Sequence, residues 1–324
     1  MTGDRWTDPV NWGVLGVGYL VTQATAAAIH EAPEARLAVA AARGDVERAL
    51  RVDPVRAVDS YEAVIDDPTI EAVYIALPND LHFPWILAAL EAGKHVLCEK
   101  PLTMSAEQAR IAFASAEAGG RLLVEATWSR WHPRMQRIVE LATSGALGQV
   151  TEFHGSFTFD GVPSGNYRLN AAQGGGALFD VGIYPLHALN ACLPGVGVSV
   201  TEVEYEVNDT GADLTTKANL VLGESTRASV LASFVTPAQQ RLRLAGSDLT
   251  IDVDDDQAYT SWKQPSTLLV GDHVEDFPAV DAYSLMFSAV SRRVRGEDAW
   301  VLPPDSSITV AEWVDGVSAH EVKA

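Results

Sequence analysis

The chain has 324 residues, 47% hydrophobic and 20% charged, enough for two domains with a real buried core. Its 43 acidic against 23 basic residues give a net charge of -20, a field that repels nucleic acid and anionic membranes and excludes both as expected partners. Cys98 and Cys192 stand too far apart for a disulfide framework or a metal-ligand spacing, so no metal is expected. No apolar leader opens the chain and no run approaches a membrane span, which makes a reducing, cytoplasmic setting the expectation.

In chain order, residues 11–15 form a short apolar strand ending in glycines, and 23–31 is alanine-rich and helix-prone. Residues 36–42 are apolar again and 45–51 helix-forming. The stretch 72–77 is a strand stopped by Pro78-Asn79, and 83–92 is a helix ending at Gly93. A strand at 95–98, a helix at 105–118 and a strand at 121–125 follow. This alternation predicts an α/β domain, a doubly wound parallel sheet of Rossmann type, over residues 1–127. Such sheets bind ligands at their carboxyl ends, which points to the residues just after Leu15, Ala42, Leu77 and Cys98.

Beyond residue 127 the rhythm changes. Helices are expected at 133–143 and 177–193 and a strand at 149–159. Strand-like runs at 198–207, 215–222, 227–235, 239–244 and 249–253 have no helices between them. Helices at 282–294 and 306–318 end the pattern. The reading for 128–324 is an α+β domain on an open, largely antiparallel sheet that holds the substrate and the oligomer contact.

Gly16-Val17-Gly18 follows a strand and opens a helix. Gly16 allows the tight turn, and Gly18 lets the backbone approach a pyrophosphate, with Tyr19 and Leu20 as further contacts. The third fingerprint position is Val21 rather than Gly or Ala, so wider helix–strand packing is expected there. The second strand ends in Ala42-Arg43, with no acid before Asp45. An Arg at that place suits an adenosine 2′-phosphate, favouring NADP while leaving NAD possible.

Cys98-Glu99-Lys100-Pro101 stands at another strand end. Hydride transfer at an alcohol carbon moves a hydroxyl proton, and a lysine there stabilises charge on oxygen. From Gly174 to His187 a triple glycine leads into a segment where Asp180, Tyr184 and His187 fall at i, i+4 and i+7, one face of a helix. Gly182 and Pro185 are costly inside a helix, as in a segment shaped by something other than propensity.

Together, Gly16-Val17-Gly18, Pro78-Asn79 with His82, Glu99-Lys100-Pro101 and the Gly174–Tyr184 block resemble the glucose–fructose oxidoreductase, inositol dehydrogenase and rhizopine catabolism family, as does the run from Trp128 to Pro133. The resemblance implies that Lys100 touches nicotinamide ribose and substrate, that Leu77, Pro78, Asn79, His82 and Glu99 line the cofactor, and that Tyr184 marks the branch with glucose–fructose oxidoreductase, xylose dehydrogenases and dimeric dihydrodiol dehydrogenases. The expectation is therefore an NADP-dependent enzyme acting on a sugar, polyol or related small molecule, as a homodimer or higher homo-oligomer. Lys100, Tyr184 and Asp180 would be catalytic. Trp128, Arg130, Arg168, Asp180 and His187 would be substrate contacts. A trans-dihydrodiol dehydrogenase and a non-catalytic NADP-sensing protein are the alternatives.

Overall fold

The structure, a computed structural model, describes residues 8–254 and 257–320, which fall into two compact units. The first gathers the described residues up to Thr103, Glu107–Trp128 and Asp281–Pro304. Its strands are β1 (Val10–Leu15), β2 (Ala35–Ala41), β3 (Arg56–Val58), β4 (Ala72–Ile75), β5 (His95–Cys98) and β6 (Leu123–Glu125). They pair in the order β3-β2-β1-β4-β5-β6, all parallel. β1, β4 and β5 are buried almost throughout, as strands covered on both faces must be. The helices of this unit include α1 (Ala26–Glu31), α2 (Val46–Leu50), α3 (Glu62–Ile65), α4 (His82–Glu91) and α5 (Ala106–Ala118). The order reverses between β1 and β4, so the crevice expected of such a sheet opens where Gly16 and Leu77 leave their strands.

Val21 does not hold the first helix away from the sheet. That helix opens in a π turn, Val21–Thr25, where the Ala26 N–H reaches back to the Val21 carbonyl and Val21 is fully buried. The 282–294 helix also departs from its expected place. It forms here as Ala282–Val294 but belongs to the first unit. Trp12 Nε1 donates to Ser291 Oγ at 2.9 Å, and Phe287 meets Trp12 and Tyr74 edge to face. A helix remote in sequence thus completes the core behind β1, and periodicity alone carries no information on which sheet it covers.

The second unit takes in Ser129–Val280 and the described residues from Asp305. α6 (Pro133–Thr143) precedes β7 (Val150–Thr158), and α7 (Ile183–Cys192) precedes β8 (Val198–Val207), β9 (Asp213–Leu222), β10 (Thr226–Ser233), β11 (Gln239–Gly246) and β12 (Thr250–Asp254). The sheet is mixed and mostly antiparallel, with β7 and β10 as its parallel pair. It extends by a hairpin absent from the sequence reading, β13 (Ser266–Val270) and β14 (His273–Phe277). Its signal was present: Gly271-Asp272 is a two-residue loop with Gly271 at φ +58°, the geometry tight hairpins select. α7 is buried from end to end against this sheet. Gly155 on β7 makes room for it, since a Cβ there would lie 2.6 Å from the Pro185 Cβ.

Candidate active site

At the end of β1, Gly16 sits at φ +92°, and a side chain there would meet the Ala76 carbonyl oxygen at 2.5 Å. No other residue type fits that turn without strain. Gly18 is the opposite case: a Cβ would find nothing within 4 Å. The loop therefore presents bare backbone on an open side, the cradle a dinucleotide pyrophosphate requires. Tyr19 beside it is 82% exposed and Leu20 half-buried.

Past β2, Ala42 is buried while Arg43 is exposed, its guanidinium carbon 5.0 Å from the centroid of the Tyr61 ring. Asp45, the first acid after the strand, accepts the Arg48 N–H at 2.9 Å and so caps α2. Past β4, Leu77 and Asn79 are buried. His82 is fully buried, with Nδ1 2.8 Å from the Pro101 carbonyl and Nε2 2.9 Å from that of Leu77. Burial holds this imidazole below its ordinary pKa, against the two carbonyls that draw it up. His82 thereby ties the turn after β4 to the turn after β5. In that second turn Glu99 accepts from Tyr74 Oη at 2.6 Å and from the Lys100 N–H at 3.3 Å. Burial, and then the Glu99 charge, push the Tyr74 phenol well up. Lys100 follows, half-buried, with a cis bond to Pro101. Among the cofactor candidates, Gly16, Gly18, Leu77, Pro78, Asn79, His82, Glu99 and Lys100 all fall on the carboxyl ends of β1, β4 and β5. Trp128 is buried in the same unit, stacked on Tyr283 at 4.5 Å.

In the second unit the glycine block adopts a shape that propensity does not describe. Gly176 has φ +130°, and the Asp213 Oδ1 lies 2.0 Å from where its Cβ would be. Asp213 Oδ2 accepts the Leu178 N–H at 2.8 Å and the Thr216 hydroxyl at 2.6 Å. Asp213 thus fastens the start of the segment from β9. It was not among the sequence candidates, and only its place after Gly211 at a strand start hinted at it. Leu178–Gly182 is a π turn, after which Ile183–Cys192 is α-helical. Pro185 falls in the first turn of α7, where its missing N–H costs least, and Gly182 lies 3.2 Å from the Ala232 Cβ by its would-be side chain.

Asp180 lies in the π turn, and Tyr184 and His187 lie in the α-helical part that follows. Asp180 is ion-paired with Arg168, whose Nε donates to Oδ2 at 2.6 Å. Burial draws the Arg168 guanidinium down, but Asp180, then Tyr167 and Tyr184, hold it above its ordinary value. Arg168, Asp180 and Tyr184 thus share one field. Tyr184 is buried, its ring 5.4 Å from that of Phe157 and 6.3 Å from that of Tyr259. His187, one turn on, is buried, and its carbonyl accepts from Arg130 Nη1 at 3.3 Å. Burial lowers the Arg130 guanidinium to about 10 and lifts the neighbouring Cys192 thiol to about 12. No cluster of metal-ligating side chains occurs among the described residues, and no helix among them is long and apolar enough to cross a membrane.

The chain resembles known oxidoreductases in sequence and fold. Residues 10–127 match the model of an oxidoreductase family with an NAD-binding Rossmann fold, and residues 135–252 match the GFO/IDH/MocA C-terminal domain. An NADP(+)-dependent D-xylose 1-dehydrogenase of Haloferax volcanii is 31% identical over 317 residues, 94% of this chain and 95% of its own. A trans-1,2-dihydrobenzene-1,2-diol dehydrogenase of Mus musculus is 31% identical over 210 residues, 63% of this chain and 62% of its own. The crystal structure of a 3-ketoreductase from Actinomadura kijaniata in complex with NADP and TDP-benzene superimposes with a TM-score of 0.88 at 28% identity, covering 96% of this chain and 97% of that one. The chain belongs to the GFO/IDH/MocA oxidoreductase family: an NAD(P)-binding dehydrogenase or reductase acting on CH–OH groups.

Proposed function

We propose that this enzyme uses NADP to interconvert a hydroxyl and a carbonyl on a sugar, polyol or related polyhydroxylated small molecule. The observation that carries the chemistry is the grouping of Tyr184 with the Arg168–Asp180 pair. The Arg168 guanidinium interacts electrostatically with the Tyr184 phenol, and Asp180 keeps that guanidinium in place. Tyr184 takes or returns the hydroxyl proton. Lys100, at the end of β5 in the first unit, serves to stabilise charge on a substrate oxygen. A bound nicotinamide supplies or accepts the hydride. Gly16 and Gly18 hold the pyrophosphate, and Asn79, His82 and Glu99 shape the turns beside it. For NADP over NAD the support is Arg43, exposed at the end of β2, with the nearest acid, Asp45, engaged in capping α2. The xylose dehydrogenase is named for the same cofactor and the ketoreductase was crystallised with it.

A dihydrodiol is the second reading. The row of Phe157, Phe159 and Phe234 leading away from Tyr184 offers apolar ring faces. The setting we propose is cytoplasmic, in keeping with two free, buried thiols. We also propose a homo-oligomer built on the second unit's sheet, where Glu152, Lys217 and Arg227 are exposed on the face away from α7.

The deciding experiment is an NADP(H)-coupled screen of aldoses, keto-sugars and dihydrodiols in both directions. Tyr184→Phe should lower turnover on the best substrate by about 10²–10⁴-fold while leaving the NADPH dissociation constant within about twofold. Undiminished turnover removes Tyr184 from proton transfer. NADPH binding without turnover on any member of the panel sinks the substrate assignment.

A further inference from the structure

Arg43 does not stand alone. Its guanidinium lies over the ring of Tyr61, 5.0 Å from the centroid, and Tyr61 in turn meets Trp85 of α4 edge to face, at 5.1 Å and 90°. Tyr61 is buried and Trp85 half-buried, whereas Arg43 and Arg48 are exposed. Among the described residues Arg43 forms no salt bridge, so what fixes its side chain is this aromatic face. Burial raises the Tyr61 phenol above its ordinary value, while Arg43, and to a lesser degree Arg48, pull it down. Hydride transfer does not require an exposed arginine seated on this aromatic pair.

The physics of the stack points outward. A guanidinium held over a ring by a cation–π contact keeps its N–H donors available for bidentate contact with a phosphate. An unstacked arginine at this exposed strand end would sample many rotamers and lose that entropy on binding. We propose that Tyr61, backed by Trp85, is a specificity-determining positioning residue: it pre-sets Arg43 for the 2′-phosphate of NADP. The proposal rests on the NADP reading above and adds the residues that make it selective. Asp45, the nearest acid, is engaged in capping α2 through the Arg48 N–H. A carboxylate swung toward Arg43 would neutralise the cation that the stack presents.

The test needs no substrate. NADPH and NADH are titrated separately against the full chain, and the ratio of their dissociation constants is the readout. Tyr61→Leu should shrink the preference for NADPH about tenfold with NADH affinity unchanged, while Tyr61→Phe, which retains the ring, keeps it. Arg43→Leu should abolish the preference. Trp85→Leu, a milder change should Tyr61→Leu fail to fold, should lower it about threefold. If Arg43→Leu abolishes the preference but Tyr61→Leu and Trp85→Leu leave it intact, the stack has no positioning role, although the NADP reading survives. If the unaltered protein binds NADH as tightly as NADPH, both fall. Parallel loss of NADH and NADPH affinity in Tyr61→Leu, with Trp85→Leu unchanged, assigns the ring a structural role only and overturns the proposal.

Discussion

Arg168 Nε and Asp180 Oδ2 lie 2.6 Å apart, an ion pair joining the loop before the triple glycine to the π turn after it. The acid is almost buried and the arginine about one-third exposed, with side-chain exposures of 8% and 32%. The pair is therefore more than a surface bridge. It fixes the path of residues 168–180 around Gly174, Gly175 and Gly176, where the chain has little propensity of its own. Gly175 shows how tightly: a Cβ there would lie 2.5 Å from the Tyr167 carbonyl oxygen.

Arg168→Met should leave the Asp180 charge without its guanidinium and destabilise the protein by about 2 kcal/mol, less than the ~3–5 kcal/mol of a fully buried pair because water reaches the arginine. Asp180→Asn added to it should recover part of that loss. Urea unfolding of the two single variants and the double variant gives the coupling energy. A coupling near zero would show that the two side chains are neighbours without being partners.

The two glycines of the first loop should separate folding from binding. Gly16→Ala combines a left-handed backbone with a clash against the Ala76 carbonyl, so a loss of about 2–4 kcal/mol is expected in thermal or urea unfolding, with cofactor binding lost as well. Gly18→Ala meets open space and should fold within about 0.5 kcal/mol of the parent. Its NADPH dissociation constant should nevertheless rise about tenfold or more, because the added methyl stands where the pyrophosphate approaches. Unchanged NADPH affinity in Gly18→Ala would remove that glycine from the cradle.

These pairs also show where sequence reasoning reaches and where it stops. The parallel sheet was legible because each strand is a short apolar run closed by its own turn residues, and the strand ends after Leu15, Ala42, Leu77 and Cys98 follow from that local pattern. The mostly antiparallel character of the second sheet was legible for the same reason. Contacts made across long stretches of chain were not. The place of Asp213 after Gly211 at a strand start does not reveal that its carboxylate will hold Leu178, 35 residues away. Phe287 and Ser291 carry an ordinary amphipathic pattern that gives no hint of Trp12 as their partner. The single helix face proposed for Asp180, Tyr184 and His187 assumed uniform α geometry. The π turn at Leu178–Gly182 changes the angle between Asp180 and the two residues after it. That turn reflects tertiary packing of Gly182 and Pro185 against the sheet, which a period of 3.6 cannot express.

His132 provides a prediction of acid sensitivity with a definite window. It is the N-cap of α6, where its Nδ1 accepts the Arg134 N–H at 3.1 Å, a role open only to the unprotonated nitrogen. Arg134 cannot move to relieve it, since that side chain is buried and donates to the carbonyls of Thr267, Gln257 and Ala258. Burial, and then the Arg134 charge, lower the His132 imidazole to about 4 from an ordinary 6.5. Above pH 6.5 the folded and unfolded chains are both unprotonated here, and the residue adds no pH dependence. As pH falls below 6.5 the unfolded chain takes up the proton first, so stability declines until about pH 4, where the folded state is protonated too. The full span corresponds to roughly 3 kcal/mol. Carboxylates titrate in the lower part of the same range, so the comparison is with His132→Asn, which caps the helix without titrating. Between pH 7 and 4.5 the parent should lose stability more steeply than this variant in urea unfolding, with the gap opening first near pH 6. Parallel curves for the two proteins would show that His132 accepts its proton in the folded state as readily as in the unfolded chain.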